Sequence, residues 1–246
     1  MRARPAIFGL ACFTAGCCGM CAETTRSENV RTEGMSLHAR VDARDGGKKT
    51  EISATLRAGG VLSNLFPQVV APDRIEARVG ADAHPLAFAH NMIATPGYVA
   101  TIPGDASGQT IEIHFLRSGN TTATGTRVVM PPGLTISAPR AGETFSPVRP
   151  ALTITWTSTS PSPLPTSFSV SGACILPRQG DLAPDPGRLD LVLAAAPPPD
   201  GGPYPSRCDV TIRLERQQRG TVDPAFGEGG SILASQSRER VIEFTP

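Results

Sequence analysis

Beyond its first two dozen residues this chain has no long apolar run. The nearest candidate, Leu189 to Pro199, is broken by Pro197, Pro198 and Pro199 and falls short of the roughly 18 residues that a spanning helix requires. The body of the chain is therefore expected to cross no membrane as a helix. Aromatic residues make up only 5% of the sequence, and neither charge sign is in excess: 23 Lys and Arg stand against 22 Asp and Glu, a formal net charge of +1. There is no basic stripe interleaved with aromatics either, so no nucleic-acid partner is expected. Motifs that carry a mechanism are also lacking: no His-Glu-x-x-His, no Gly-x-Ser-x-Gly, no phosphate loop ending in Gly-Lys-Ser/Thr and no dinucleotide glycine fingerprint. These absences point away from an enzyme, and no catalytic residue, cofactor or metal site is assigned.

What the chain does have is turn chemistry and alternation. Its 25 glycines and 24 prolines make up about a fifth of the residues, while 39% are hydrophobic. That mixture suits one or two globular cores built from many short strands, and long helices would not tolerate it.

The N-terminus reads as an address. Arg2 and Arg4 precede the small and apolar run Ala6 to Ala15, the basic and hydrophobic regions of a secretory signal. The next residues, Thr14-Ala15-Gly16-Cys17, resemble the lipobox of bacterial lipoproteins, which implies that Cys17 becomes the acylated N-terminus and ties the protein to a membrane. An ordinary signal cut near Ala22, with the N-terminal cysteines incidental, is the alternative. Both place the chain in the bacterial cell envelope or outside it. Residues 1–22 are assigned to this signal, and residues 23–35, polar and without apolar periodicity, to a flexible tether.

From Ser36 to Val129 the sequence shows about seven alternating runs: Leu37-Val41, Ile52-Leu56, Arg74-Val79, Leu86-Ala89, Tyr98-Ile102, Thr110-Leu116 and Arg127-Val129. In the clearest, Ile111, Ile113 and Phe115 share one face while Glu112 and His114 share the other. Met130-Pro131-Pro132-Gly133 then interrupts the pattern as a stiff joint. Alternation resumes in Leu152, Ile154 and Trp156, in Phe168 and Val170, in Leu189, Leu191 and Leu193, and most strongly in Cys208, Val210, Ile212 and Leu214. Ser231 to Phe244 supplies the last one or two strands. The fold class expected is all-β: two tandem Ig-like antiparallel β-sandwich domains, 36–130 and 134–246.

Pro139-Arg140-Ala141-Gly142-Glu143-Thr144-Phe145 followed by Leu152-Thr153-Ile154-Thr155-Trp156 resembles the opening of immunoglobulin-like modules in bacterial envelope proteins and lipoproteins. The Gly-rich turn Asp223-Pro224-Ala225-Phe226-Gly227-Glu228-Gly229-Gly230-Ser231 is similar to one in the same group. The resemblance covers about the last 110 residues. It implies an Ig-like sandwich and no particular activity.

With the N-terminal four cysteines in the signal or anchor, two remain, Cys174 and Cys208. In an oxidising compartment they are expected to form a disulfide, each on the inward phase of its strand. Trp156, on the inward phase of its own strand, is expected in the same core, close to that bond.

Other candidate groups have bland readings. His38 and His114 lie on the polar phase of strands, and His84 and His90 flank a short strand without a third metal ligand. Asp181, Asp185 and Asp190 have carboxylates at short spacing, as calcium loops do, but Pro184, Pro186 and Gly187 make this a turn. Those aspartates and Glu228 could also serve a glycosidase, although sequence supplies no paired geometry. The Gly227-Glu228-Gly229-Gly230 segment is read as a β-turn rather than an anion cradle, Pro161-Ser162-Pro163-Leu164-Pro165 as a solvated loop, and Asn120-Thr121-Thr122 as unmodified. The function expected is that of a non-enzymatic envelope module, lipid-anchored, contacting an envelope protein or a glycan. A hydrolase with an unrecognised carboxylate site and a structural spacer are the alternatives.

Overall fold

The computed structural model describes residues 23–59, 63–89, 96–146, 151–159, 163–197 and 207–245. The signal, the lipobox-like sequence and Cys17 lie outside these residues.

Among the described residues the first half forms ten strands: β1 (Glu23–Arg26), β2 (Met35–Arg44), β3 (Lys49–Ala58), β4 (Leu65–Gln68), β5 (Arg74–Val79), β6 (Asp82–Pro85), β7 (Ala87–Ala89), β8 (Gly97–Pro103), β9 (Thr110–Leu116) and β10 (Ala123–Val129). The second half forms eight: β11 (Leu134–Ala138), β12 (Thr144–Phe145), β13 (Leu152–Ser158), β14 (Thr166–Gly172), β15 (Arg178–Leu182), β16 (Arg188–Leu191), β17 (Cys208–Arg219) and β18 (Gly230–Phe244). The all-β reading holds, and the strongest alternating runs of the sequence are strands. Ile111, Ile113 and Phe115 are fully buried along β9, as are Val210, Ile212 and Leu214 along β17, because period-two patterning commits one face of each strand to a core.

The architecture is two sandwiches that share a sheet. Among the described residues one eleven-stranded sheet follows the path β1-β4-β3-β2-β18-β17-β14-β15, with β12 branching from β18, β8 from β3, and β7 paired to β8. A four-stranded sheet, β10-β9-β5-β6, belongs to the first core, and a three-stranded sheet, β11-β13-β16, to the second. Pairing is antiparallel except at β1–β4, β12–β18 and β18–β2.

The β18–β2 pairing departs from the arrangement expected from sequence. Residues Gly230–Gln236 lie parallel to Leu37–Ala43 of β2, while the whole of β17 runs antiparallel to β18 on its other side. Phe226, Ile232 and Ala234 are consequently buried in the first core, and Ile242 and Phe244, further along the same strand, in the second. The stretch 134–246 is therefore not a self-contained module, since its penultimate segment completes the first sandwich. Two glycines permit the crossing. Gly230 has φ +143°, and a β-carbon there would overlap the Leu37 carbonyl; one at Gly220 would overlap the Arg127 carbonyl. No other residue fits such a backbone approach.

Residues 23–35, assigned to a flexible tether from composition, are instead built into the first sandwich. β1 pairs with β4, and two single 3₁₀ turns, Ser27–Asn29 and Thr32–Gly34, follow it. Ser27 and Thr32 are fully buried. The reason is Arg117, whose side chain is 0% exposed. Its Nε donates to Asp73 at 3.2 Å, its Nη1 to the Val30 carbonyl and to Thr32 Oγ1, and its Nη2 to the Ser27 carbonyl. Asp73 also accepts from Ser27 Oγ and from the Ser118 amide. Composition suggested disorder because the segment carries little apolar surface; a buried ion pair holds it instead.

The joint between the sandwiches is polar. Gly133 donates its amide to Ser107 Oγ and Thr159 Oγ1, which are 3.0 Å apart, and Thr159 returns its amide to the Gly133 carbonyl. Midway along β18, Gln236 donates to the Asp105 carbonyl and Arg238 to the Asp105 carboxylate at 3.1 Å. Pro131 and Gly133 are buried, so the joint expected to be stiff is also clamped from both sides.

Candidate binding site

The two expected cysteines form a disulfide, Cys174–Cys208, between the residues that follow β14 and the start of β17. Trp156 is in the same core, 4% exposed. The two do not pack together. The Trp156 indole N–H donates to Asp185 at 2.9 Å, and Asp185 pairs with Arg216, which lies eight positions along β17 from Cys208, on the order of 26 Å at strand rise. Tryptophan and disulfide close opposite ends of the second core. Inward phase fixes the face of a strand and leaves the position along it open.

Asp185 is the second buried hub. It accepts from Trp156, Thr166 Oγ1, the Gly187 amide and Arg216, and Arg216 also donates to Thr166 Oγ1 and Ser158 Oγ. Burial pushes the Asp185 carboxyl up, but the hydrogen bonds from Arg216, Gly187 and Thr166 and the Arg216 charge outweigh it and hold the group below the usual carboxylate range. The three aspartates considered as a calcium loop are not brought together. Asp181 accepts from Ser167 Oγ, and Asp190 from Thr153 Oγ1 and Arg188. Among the described residues no group of three His, Cys, Asp or Glu side chains is arranged to hold a metal.

The histidines are likewise dispersed. His38 Nδ1 lies 3.1 Å from Ser231 Oγ, and burial followed by the Arg57 charge pushes its pKa down. His114, on the polar phase where exposure is expected, is buried at 9% exposure on β9 between β10 and β5, although Glu112 on the same face keeps its side chain partly open; its Nε2 lies 3.0 Å from Glu112. His84 is half-buried on β6, and His90 lies outside the described residues, as do Pro161 and Ser162. The Gly227–Gly230 segment is a turn pressed on the backbone of Glu33 and Leu37, and its Glu228 and Gly229 amides already donate to the Met35 and Phe226 carbonyls.

Sequence reasoning missed both arginine hubs, although each carries a signal. Arg117 continues the inward phase Ile111, Ile113, Phe115, and Arg216 continues Val210, Ile212, Leu214. A charged residue in phase with a core strand requires a buried partner.

Surface concavities are shallow. A trough of about 310 Å³ lies on the outer face of β14, β15 and β17, lined by Ser167, Ser169, Gln179, Asp181, Arg213 and Glu215. Its polar groups already satisfy one another: Ser167 bonds Asp181, and Arg213 pairs with Glu215 and Glu239. A second depression, about 350 Å³, lies where the chain leaving β17 crosses β10.

The sheets and cores define an all-β double sandwich. No protein-family model matches the chain, and no curated protein matches it. Among solved structures it is similar to the FN1-FN3 domains of chicken CNTN1, at 11% identity over 85% of this chain and 64% of that one, with a TM-score of 0.24. The chain thus spans less than two thirds of that structure, and at this TM-score the likeness carries no argument about fold or function.

Proposed function

We propose that this chain is a non-enzymatic interaction module of the bacterial envelope, exported and held at the membrane by lipid on Cys17, whose body presents sheet faces to an envelope protein or a glycan. The observation that carries the reading is the membership of β18 in both cores, which welds two sandwiches into one stiff display body. The chemistry of the buried carboxylates supports it. Glu76 and Asp185 each lie against arginines and are held below the usual range, whereas a hydrolytic acid must keep its proton near neutral pH.

Affinity capture with the tethered protein on its own envelope tests this. Reproducible retention of one envelope protein or one glycan fraction, without turnover of it, is the expected result. Hydrolysis of the retained material restores the enzyme reading, and retention of nothing leaves a spacer. Cys17→Ser is expected to release the protein from membranes and abolish lipid labelling.

A further inference from the structure

The depression at the β10 crossing differs in its charge from the trough on β14, β15 and β17. Thr110, Arg127, Val128, Val129, Gln218, Arg219, Gly220 and Thr221 line it, with two guanidinium groups and no carboxylate. Arg127 and Arg219 are exposed and have no hydrogen-bond or ion-pair partner for their side chains among the described residues. Glu112, opposite Arg127 on β9, makes its contact with His114 instead.

Backbone geometry places the two arginines together. Arg127 and Thr221 form an isolated antiparallel bridge, exchanging both amide–carbonyl bonds at 2.9 Å, so their side chains share a face. Arg219 precedes Thr221 by two residues and falls on that face by period-two alternation, as Val129 does relative to Arg127. Diagonal neighbours of this kind are about 7–8 Å apart, within reach of long side chains converging on one ligand. Gly220 makes the approach possible, since any β-carbon there would strike the Arg127 carbonyl. Around the guanidinium pair stand the hydroxyls of Thr110 and Thr221, the Gln218 amide and the aliphatic side chain of Val129, which is 40% exposed.

We propose that this cleft is an anion subsite for an acidic polysaccharide: the arginine forks take a carboxylate or phosphate group, the threonines and Gln218 take sugar hydroxyls, and Val129 packs on a ring face. The inference rests on the interaction-module reading and names its ligand class. Recruiting these arginines breaks no existing ion pair, whereas the trough on β14, β15 and β17 would have to surrender its own to a ligand.

The full-length protein is titrated with polygalacturonate, with neutral dextran, with inorganic phosphate and with anionic phosphatidylglycerol vesicles, at two salt concentrations. Expected is salt-sensitive binding of polygalacturonate, at least tenfold stronger than dextran, that falls about tenfold or more in Arg127→Ala/Arg219→Ala and is unchanged in Arg178→Ala, which removes an exposed arginine elsewhere. Equal binding of dextran and polygalacturonate overturns the proposal, as does an equal loss in Arg178→Ala. Vesicle binding that exceeds polygalacturonate binding, or phosphate that saturates the site without polymer binding, overturns it in favour of a headgroup or a free ion. Unchanged polygalacturonate binding in the double variant, with an envelope partner still retained, removes the anion subsite and leaves the interaction-module reading standing, so the two fail separately.

Discussion

The rings of Phe115 and Phe226 stack 6.1 Å apart and within 9° of parallel. Phe115 is on β9, in the first sandwich, and Phe226 is in the turn leading to β18, near the C-terminus. This contact ties the first core to a segment far along the chain, beyond most of the second sandwich. The two sandwiches should therefore unfold as one. Chemical denaturation followed by far-UV circular dichroism and by Trp156 emission, which reports the second core, is expected to give coincident transitions. Phe226→Ala should destabilise by about 3–5 kcal/mol, and should shift both signals together. Separated transitions would show that the shared strand does not couple the cores.

Gly230→Ala tests the β2–β18 seam from the backbone. The added methyl meets the Leu37 carbonyl and the positive φ is unfavourable for any L-residue. Loss of the folded state, or amide exchange opened selectively along Leu37–Val41, is expected. Gly80→Ala serves as the control, because Gly80 has φ +61° but nothing within 4 Å of an added β-carbon. It should cost only the backbone strain, on the order of 1 kcal/mol.

Removing Arg117 leaves Asp73 buried without its partner. Arg117→Ala is expected to cost about 3–5 kcal/mol and to raise amide exchange and protease cleavage in residues 23–34 before the rest of the chain. Replacing Asp73 and Arg117 together should cost less than the sum of the single changes. Unchanged protection of residues 23–34 in Arg117→Ala would refute the role assigned to the ion pair.

The Asp185 hub has a pH signature. Its folded pKa is depressed, so the stability it supplies is fully present above the unfolded carboxyl value of about 4 and is lost as pH falls through the lower folded value. Below about pH 4, Trp156 emission should shift red at a urea concentration that leaves the protein folded at pH 7. Asp185→Asn should be less stable at pH 7 and flatter in its acid response. A variant with the same acid response as the native protein would remove Asp185 as the cause.

The disulfide joins residues 34 apart in sequence, and closing a loop of that size contributes roughly 3–4 kcal/mol in the chain-entropy model. Denatured, unreduced protein should show no labelling of Cys174 or Cys208. Reduction should lower the denaturation midpoint by the corresponding amount.

The sequence by itself determined the all-β class, the face each strong strand buries and the two cysteines available to bond, because each follows from period-two alternation or from counting. Ile111, Ile113 and Phe115, and Val210, Ile212 and Leu214, needed no tertiary information to be placed in cores. Tertiary structure alone decided which core a strand enters and where along it a residue lies. Ile232, Ala234, Ile242 and Phe244 share one phase of a single strand, interrupted by Gln236, Arg238 and Arg240, yet the first pair belongs to one sandwich and the second to the other. The distance between Trp156 and the disulfide, and the capture of residues 23–34 by Arg117, were hidden for the same reason. Alternation is a local property of a strand, while pairing partners and buried ion pairs are set by contacts between segments as far apart as Leu37 and Gly230.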